Sequence, residues 1–327
     1  MASDYELEEV FREGTRLDVA EAKRLEEQLR DDDGDAFARL RLLGHYLSHL
    51  GDDDPDSAAH RAVHVCWLIE RCAREPIARF TAVALNCLDG PAAWEALERW
   101  REQVARFPVD VNVLLNGAYF AFQVDRDLHR EWRERARPLA DSERCLGLID
   151  DLEVEDLQFG GDSDELRLAR LEAIVARSPA RRSDTMVTMT KLSFALRDAK
   201  RAAAYAKELL DTIALGESWD AGNAHFYGHT TLGRLALYED NLQGAKEHLI
   251  LSGRLPRSSP QLSAFGPSME LAEELLERGE REIVLEFFGL CEAWWEMGKK
   301  KLETWTADVR QGRMPSFDAC AIDSDGS

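Results

Sequence analysis

The chain has 327 residues, 45% of them hydrophobic, and 62 acidic against 41 basic side chains give it a formal net charge of −21. This length and apolar content are enough to bury a sizeable core in one elongated or two compact units. The excess of negative charge argues against a nucleic-acid-binding protein, because phosphates are bound by basic surfaces.

The N-terminal segment is acidic where a secretory signal would be basic and then apolar. No run of about 18 uncharged apolar residues occurs, so the sequence predicts no membrane span and no membrane partner. Six cysteines lie scattered without Cys-x-x-Cys spacing, which is typical of reduced thiols in a cytoplasmic protein. We expect Cys66 and Cys291 to be packed as small hydrophobic residues.

Glycine and proline separate long amphipathic stretches, and alternating strand patterns are absent, so we predict an all-α fold. The predicted helices of the first half are residues 17–30, 36–50, 57–73, 76–86, 91–107, 112–122 and 128–139. Those of the second half are residues 163–177, 184–196, 199–213, 222–238, 242–252, 268–278 and 280–311. Two Asp-rich segments, 31–35 and 51–56, lack EF-hand ligand spacing and are predicted to be solvated turns.

Residues 229–256 contain small and bulky side chains at spacings that let two antiparallel helices pack closely. Gly233 and Ala245 take the places where only a small side chain fits at the crossing, and Leu249 fills the space beside them. The matching positions are Leu232, Gly233, Ala236, Ala245, Leu249 and Pro256. This pattern resembles a tetratricopeptide repeat (TPR), which consists of two antiparallel helices.

Weaker versions of the pattern occur elsewhere. Leu115 and Asn116 fall at the Leu-Gly place of one, with Trp132 on its second helix, and Ala202 and Ala206 take the small positions of another. Helix 280–311 is long enough to cover the last repeat, and we expect its tryptophans, Trp294, Trp295 and Trp305, to pack there.

These patterns predict an irregular α-α superhelix, a TPR-like solenoid with a long C-terminal capping helix. We assign residues 1–158 to N-terminal TPR-like repeats and residues 159–314 to C-terminal TPR-like repeats with the capping helix. Residues 315–327 are small and polar and are predicted to be a disordered tail.

Several segments are similar to a group of uncharacterised bacterial TPR-like proteins. They are residues 222–225 (GNAH), 228–229 (GH), 232–234 (LGR), 245–249 (AKEHL), 259–262 (SPQL), 265–267 (FGP), 64–65 (HV), 67–70 (WLIE), 116–118 (NGA) and Phe120. The resemblance implies a helical-repeat fold and no particular reaction.

In such repeats the first helices line a concave groove with the second, fifth, ninth, twelfth and thirteenth residues. Counted from Gly233 as the eighth place, the groove positions are Tyr227, Thr230, Arg234, Leu237 and Tyr238. Counted from Thr190, they are Asp184, Val187, Lys191, Phe194 and Ala195. Lys191 and Arg234 occupy equivalent places, which suits a peptide carboxylate or an acidic side chain held between Phe194, Tyr227 and Tyr238.

The segment 258–267 is longer than a helix-to-helix turn requires. It is predicted to be an ordered loop that either packs Phe265 between two repeats or presents Gln261 and Phe265 to a partner.

Three histidine pairs have the spacing of one helical turn: His45 with His49, His60 with His64, and His225 with His229. Each pair projects from one helix face and offers two ligands to a metal ion. None has the His-Glu-x-x-His pattern of a metalloprotease, so partly buried, hydrogen-bonded histidines are the favoured interpretation.

The sequence contains no Gly-x-Ser-x-Gly elbow and no Gly-rich phosphate loop, and we predict no catalytic residue and no cofactor. The favoured hypothesis is a scaffold or adaptor that binds a protein or peptide in its concave groove. The alternatives are a metal-dependent or small-molecule enzyme that uses the histidine pairs, and a ligand-sensing regulator.

Overall fold

The computed structural model describes residues 3–49, 57–159, 161–214, 221–256 and 259–317. Across these ranges the chain forms eighteen α-helices, five short 3-10 helices and no strand, which confirms the all-α prediction for this part of the chain. None of the helices in these ranges is long and apolar enough to cross a membrane. The chain divides into two compact units, Met1–Asp156 and Leu157–Ser327.

In the N-terminal unit, helices pack mainly on helices one or two places away in the chain. The helices are α1 (Asp4–Gly14), α2 (Val19–Asp31), α3 (Ala36–Ser48), α4 (Ser57–Cys72), α5 (Thr81–Ala84), α6 (Pro91–Arg106), α7 (Val111–Val124), α8 (Arg126–Ala136) and α9 (Glu143–Phe159), whose last residues pass the unit boundary. Acidic turn residues begin several of them. Asp35 accepts hydrogen bonds from the backbone N–H groups of Phe37 and Ala38, so the described acidic turn caps α3.

Helix α1 packs on α3 through two glycines. A Cβ on Gly14 would collide with the carbonyl oxygen of Arg41, and a Cβ on Gly44 would collide with that of Phe11. Because backbone lies directly against backbone, neither position has room for a side chain.

The α7/α8 pair shows the predicted close approach with a shift of one residue. A Cβ on Gly117 would lie 3.0 Å from the Trp132 ring, so Gly117 is the close-contact residue of α7. The preceding residue, Asn116, was predicted at that place. Its amide instead donates hydrogen bonds of 2.9 Å to the carbonyl oxygens of Ala73 and Glu75, beyond the end of α4.

A fully buried imidazole holds α7 to α8. His129 Nδ1 lies 3.0 Å from the carbonyl oxygen of Ala118, and Arg133 Nη1 lies 3.2 Å from His129 Nε2. The carbonyl requires a donor and the guanidinium requires an acceptor, so the ring is neutral and protonated on Nδ1. Burial lowers the pKa of His129 to about 4, and the positive charge of Arg133 adds to this effect.

The C-terminal unit contains nine described α-helices, of which α10 to α14 pack in sequence, as do α16 to α18, while α15 contacts α13. They are α10 (Asp164–Arg177), α11 (Arg182–Ala195), α12 (Ala199–Ala214), α13 (Ala221–Tyr238), α14 (Leu242–Gly253), α15 (Pro260–Phe265), α16 (Glu270–Glu277), α17 (Arg281–Glu292) and α18 (Lys299–Arg310).

The α13/α14 pair has the close crossing predicted from its small residues. A Cβ on Gly233 would lie 3.1 Å from the Cβ of His248 and 2.5 Å from the Leu271 side chain of α16. Ala245 is fully buried, and Leu249 is almost so. Three helices therefore converge where α13 has no side chain.

The prediction of one long helix over 280–311 is wrong. Helix α17 ends at Glu292, a 3-10 turn covers Glu296–Gly298, and α18 begins at Lys299. The Trp295 ring occupies the space where Gly298 would carry a side chain. The break brings Trp305 to 5.8 Å from Trp295, and both rings are buried, as expected for packing residues.

Other differences are local. The prediction missed α1, α9 and the short α15, which lies within the predicted loop 258–267. The predicted helix 76–86 is a 3-10 turn, Pro76–Phe80, followed by the single turn of α5. The acidic segment 51–56 and most of the predicted tail, residues 318–327, lie outside the described residues.

Replacing Gly44 by alanine tests the α1/α3 crossing. Alanine favours a helix, but its Cβ would push against the Phe11 backbone, so we expect Gly44→Ala to lower the free energy of unfolding by about 1–3 kcal/mol. Chemical denaturation measures this. Gly289→Ala is the control, because a Cβ added there would meet no described atom within 4 Å beyond its chain neighbours and its own helix backbone, and it should be neutral or stabilising by up to about 1 kcal/mol. Equal effects of the two substitutions would contradict the proposed steric conflict.

His129 makes stability depend on pH. Its folded pKa of about 4 lies below the usual histidine pKa of 6.5, so its contribution to stability is complete above pH 6.5. This contribution to the free energy of unfolding is lost as the pH falls towards 4, and the full loss is about 3 kcal/mol. We expect His129→Asn to be less stable than wild type at pH 7 but to lose less stability between pH 7 and 4. Urea denaturation of both proteins across this range measures the difference, and parallel pH curves would refute the assignment.

Candidate functional site

Helices α11 and α13 lie side by side and form one wall each of a cavity of about 540 Å³. The cavity is lined by Lys191, Phe194, Ala195, Arg197, Tyr227, Thr230, Thr231, Arg234, Tyr238, Ser268 and Glu270. A second cavity, of about 500 Å³, shares Lys191, Ala195 and Tyr227 with the first. The two cavities adjoin at these shared residues, and we call the combined depression the α11/α13 groove.

Most of the predicted groove positions line this depression. All five on α11 do so, including Asp184 and Val187 in the second cavity. On α13 the exception is Leu237, which is buried and packs in the core. Gln261, on α15, lines the second cavity. Phe265 lines neither cavity and is 62% exposed, so it does not pack between helices; Leu262 is the buried apolar residue of α15.

Lys191 lies at the centre of the groove, where the two cavities meet. Its ammonium nitrogen stands 3.7 Å from the centre of the Tyr227 ring, within cation–π distance. No carboxylate among the described residues lies within 4.0 Å of this nitrogen. The Lys191 charge is therefore positioned by an aromatic ring and not neutralised by an acid.

Arg234 has different surroundings. Its Nε and Nη2 atoms donate to Glu274 Oε1 at 2.9 and 2.7 Å, and its Nη1 donates to Glu270 Oε2 at 2.7 Å. The guanidinium also lies over the Phe194 ring, 4.3 Å from its centre. The sequence predicts that Lys191 and Arg234 bind one carboxylate together. In the structure, however, the Arg234 guanidinium already has two acidic partners from α16.

The aromatic side chains form a wall beside these cations. The rings of Phe194 and Tyr238 stack at 5.4 Å with an interplanar angle of 19°. Arg197 lines the same end of the groove and follows the end of α11 with a φ of 58°. No carboxylate in the described part of the chain lies within 4.0 Å of its guanidinium, so the groove holds a second uncompensated cation.

A fixed amide lies at the opposite end of the groove. Asn223 Nδ2 donates to Gln261 Oε1 at 2.8 Å, and Ser259 Oγ donates to Asn223 Oδ1 at 2.7 Å. Ser259 Oγ also accepts from the backbone N–H of Leu262 and so begins α15. Since the Gln261 oxygen is occupied, its amide N–H groups are the ones that remain for a ligand.

Three of the four histidines in the two N-terminal pairs have their rings near that of Tyr46, and the ring of the fourth, His49, lies 4.4 Å from that of His45. The Tyr46 ring lies between 5.4 and 6.0 Å from the rings of His45, His60 and His64. His45 Nδ1 donates to the Leu17 carbonyl oxygen, and His49 Nδ1 donates to that of His45.

His64 takes part in a short chain of hydrogen bonds. Arg39 Nη1 donates to His64 Nδ1 at 3.3 Å, so His64 Nε2 carries the proton that it donates to Glu26 at 2.9 Å. Tyr46 donates to the same Glu26 oxygen. The hydrogen bond from His64 lowers the pKa of the Glu26 carboxyl to about 2. These imidazole nitrogens therefore tie α2 and α3 to their neighbours.

The third histidine pair, His225 and His229, is joined by His248, which the sequence pattern did not single out. His229 of α13 meets His248 of α14, with 3.0 Å between their Nδ1 atoms. The rings of His225 and His229 lie 4.6 Å apart, and His225 Nε2 donates to the Leu251 carbonyl oxygen. Burial, together with the nearby His225 and His248, lowers the pKa of His229 to about 4.

Within the described ranges, no group of three or more His, Cys, Asp or Glu side chains is arranged to hold a metal ion. The five described cysteines are free thiols. Burial raises the pKa of Cys66 to about 11 and that of Cys291 well above its usual value, so both are protonated at neutral pH. They are packing residues, as expected.

No family model, curated protein or solved structure matches this chain.

The residues that sequence reasoning missed lie outside the repeat positions. Glu270 and Glu274 reach Arg234 from α16, and Arg197 follows a helix end where glycine is the usual residue. His248 carried a usable signal. It stands three residues after Ala245, His229 stands four before Gly233, and in an antiparallel pair these positions lie side by side.

The anchoring of Arg234 is tested with two neighbouring glutamates of α16. Glu274→Gln removes the charge that accepts two hydrogen bonds, so we expect unfolding to need about 1–2 kcal/mol less. Glu273 is exposed and makes no contact with Arg234, and Glu273→Gln should change stability by less than about 0.5 kcal/mol. Thermal and urea denaturation provide the measurement. If both substitutions behave alike, Glu274 has no special role in holding α16 to α13.

Proposed function

We propose that the C-terminal unit binds an extended acidic peptide segment of a partner protein in the α11/α13 groove. The observation that carries this proposal is the Lys191 ammonium, which lies against Tyr227 at the centre of the groove without a carboxylate from the described residues. A preoriented cation between aromatic surfaces is suited to an incoming carboxylate.

The dimensions of the groove favour a peptide chain over a compact small molecule. Its lining extends along α11 from Asp184 to Ala195, which is about 16 Å at the rise of an α-helix. An extended chain covers that length with about five residues. The fixed amide of Gln261 at one end would offer N–H donors to backbone carbonyl groups of such a chain.

The charges of the groove favour an acidic ligand. The acids that line it have partners: Asp164 contacts Arg167 at 3.0 Å, Asp184 contacts Arg181 at 3.8 Å, and Glu270 contacts Arg234 at 2.7 Å. Lys191 and Arg197 are the cations without such a partner among the described residues. In a protein with a net charge of −21, two uncompensated cations in one groove give it a local polarity opposite to the whole chain.

We also propose that the helix pairs of this unit are an irregular TPR-like stack. The crossing of α13 and α14 at Gly233 and Ala245 supports this, as does the position of α11 next to α13 across the groove. In such a stack the first helix of each pair faces the ligand. The protein would then act as an adaptor.

The proposal predicts both the peptides that bind and the residue that they need. A fluorescence polarisation screen with a library of random ten-residue peptides should select sequences with Asp or Glu. Lys191→Glu should weaken the selected peptides at least about tenfold, which corresponds to 1.4 kcal/mol. Added salt should weaken binding too, because part of the attraction is between charges.

Lys200→Glu is the matched control, since Lys200 is an exposed lysine of α12 that does not line the groove. It makes the same change in net charge and should leave binding within about twofold. Selection of peptides without acidic residues, or equal losses in the two variants, would show that the groove does not bind as proposed.

A further inference from the structure

The histidines of α13 and α14 meet outside the α11/α13 groove, and none of them lines either of its cavities. His229 and His248 come from opposite members of the helix pair, and their Nδ1 atoms lie 3.0 Å apart. Nothing in the peptide-binding proposal uses this contact.

The distance between the two nitrogens is close to that of two ligands on one metal ion. Zn²⁺ binds imidazole nitrogen at about 2.0–2.1 Å in tetrahedral geometry, which places two ligand nitrogens about 3.3 Å apart. From the observed separation of 3.0 Å, the pair must open slightly, and each ring must turn so that both Nδ1 lone pairs point at the ion and not at each other.

The backbone that carries these side chains is firmly positioned. Gly233 and Ala245 bring α13 and α14 into close contact, and a Cβ on Gly233 would lie 3.1 Å from the Cβ of His248. Both imidazoles thus project from helices whose separation is fixed by packing. A metal site on rigid elements loses little entropy when the ion binds.

The protonation state of the pair also suits a metal. Burial lowers the pKa of His229 and of His248, so both rings are neutral at neutral pH, and neutral imidazole is the form that binds metal. When the ion replaces the hydrogen bond, the proton between the two Nδ1 atoms moves to a distal Nε2, and the net charge of the pair does not change.

We propose that His229 and His248 bind one Zn²⁺ ion through their Nδ1 atoms, with water completing the coordination. Two imidazoles without a carboxylate suit zinc and similar transition metals better than Mg²⁺ or Ca²⁺, which prefer oxygen ligands. The site links the two helices of the pair across their crossing.

His225 is not one of the ligands. Its Nε2 donates to the carbonyl oxygen of Leu251 at 2.8 Å, and its ring stands at 77° to that of His229. The proposed site therefore uses one histidine from each helix, His229 and His248. It does not use the pair with the spacing of one helical turn, His225 and His229.

The test is a calorimetric titration of the full chain, free of tags, with ZnCl₂, supported by the visible absorption of bound Co²⁺. Wild type should bind one ion, with saturation. His229→Gln and His248→Gln should each weaken Zn²⁺ at least tenfold, while His225→Gln should change its affinity less than threefold. Circular dichroism and melting of the metal-free variants show that each is folded.

Three results would overturn the proposal. The first is that wild type shows no saturable binding of one ion. The second is a loss in His225→Gln with none in His248→Gln, which would place the site on one helix face. The third is an equal loss in all three variants, which is the behaviour of scattered surface histidines.

Discussion

The close approach of α13 to α14 at Gly233 is the constraint on which most of the C-terminal unit depends. Because this position has no side chain, α14 and the Leu271 side chain of α16 both reach the α13 backbone. This contact lets α13 pack closely on α14 and α16, and α13 carries Tyr227, Arg234 and Tyr238 into the groove. The same contact brings His229 level with His248. The close packing of α13 at Gly233 therefore also places His229 beside His248.

Electrostatics then distinguishes residues that the repeat pattern treats as equivalent. Lys191 and Arg234 stand at the same place of two successive patterns, yet α16 supplies two carboxylates to the arginine and none to the lysine. Arg234 joins three elements through Glu270, Glu274 and the face of Phe194. In this structure Arg234 holds α16 and Phe194 beside the groove, and Lys191 is the charge available to the proposed peptide ligand.

The sequence predicted what depends on local periodicity. Helix α13 and the buried state of Ala245 and Leu249 follow from small and large residues at fixed spacing. The sequence could not show where a helix breaks for a tertiary reason, as at Gly298 under the Trp295 ring. It also could not show which acid reaches Arg234, since Glu274 is 40 residues away in the chain. Contacts between distant helices are set by the fold and leave no mark at either position alone.

Arg197 stands at a φ of 58°, in the left-handed region that glycine usually occupies at a helix end. Any other residue type pays about 1–2 kcal/mol to adopt it. A glycine here would make the link between α11 and α12 more stable and would remove a guanidinium from the groove. If the groove binds an acidic peptide as proposed, directed evolution for thermal stability alone would therefore favour a protein that is more stable and binds less well, whereas selection for binding would retain the arginine.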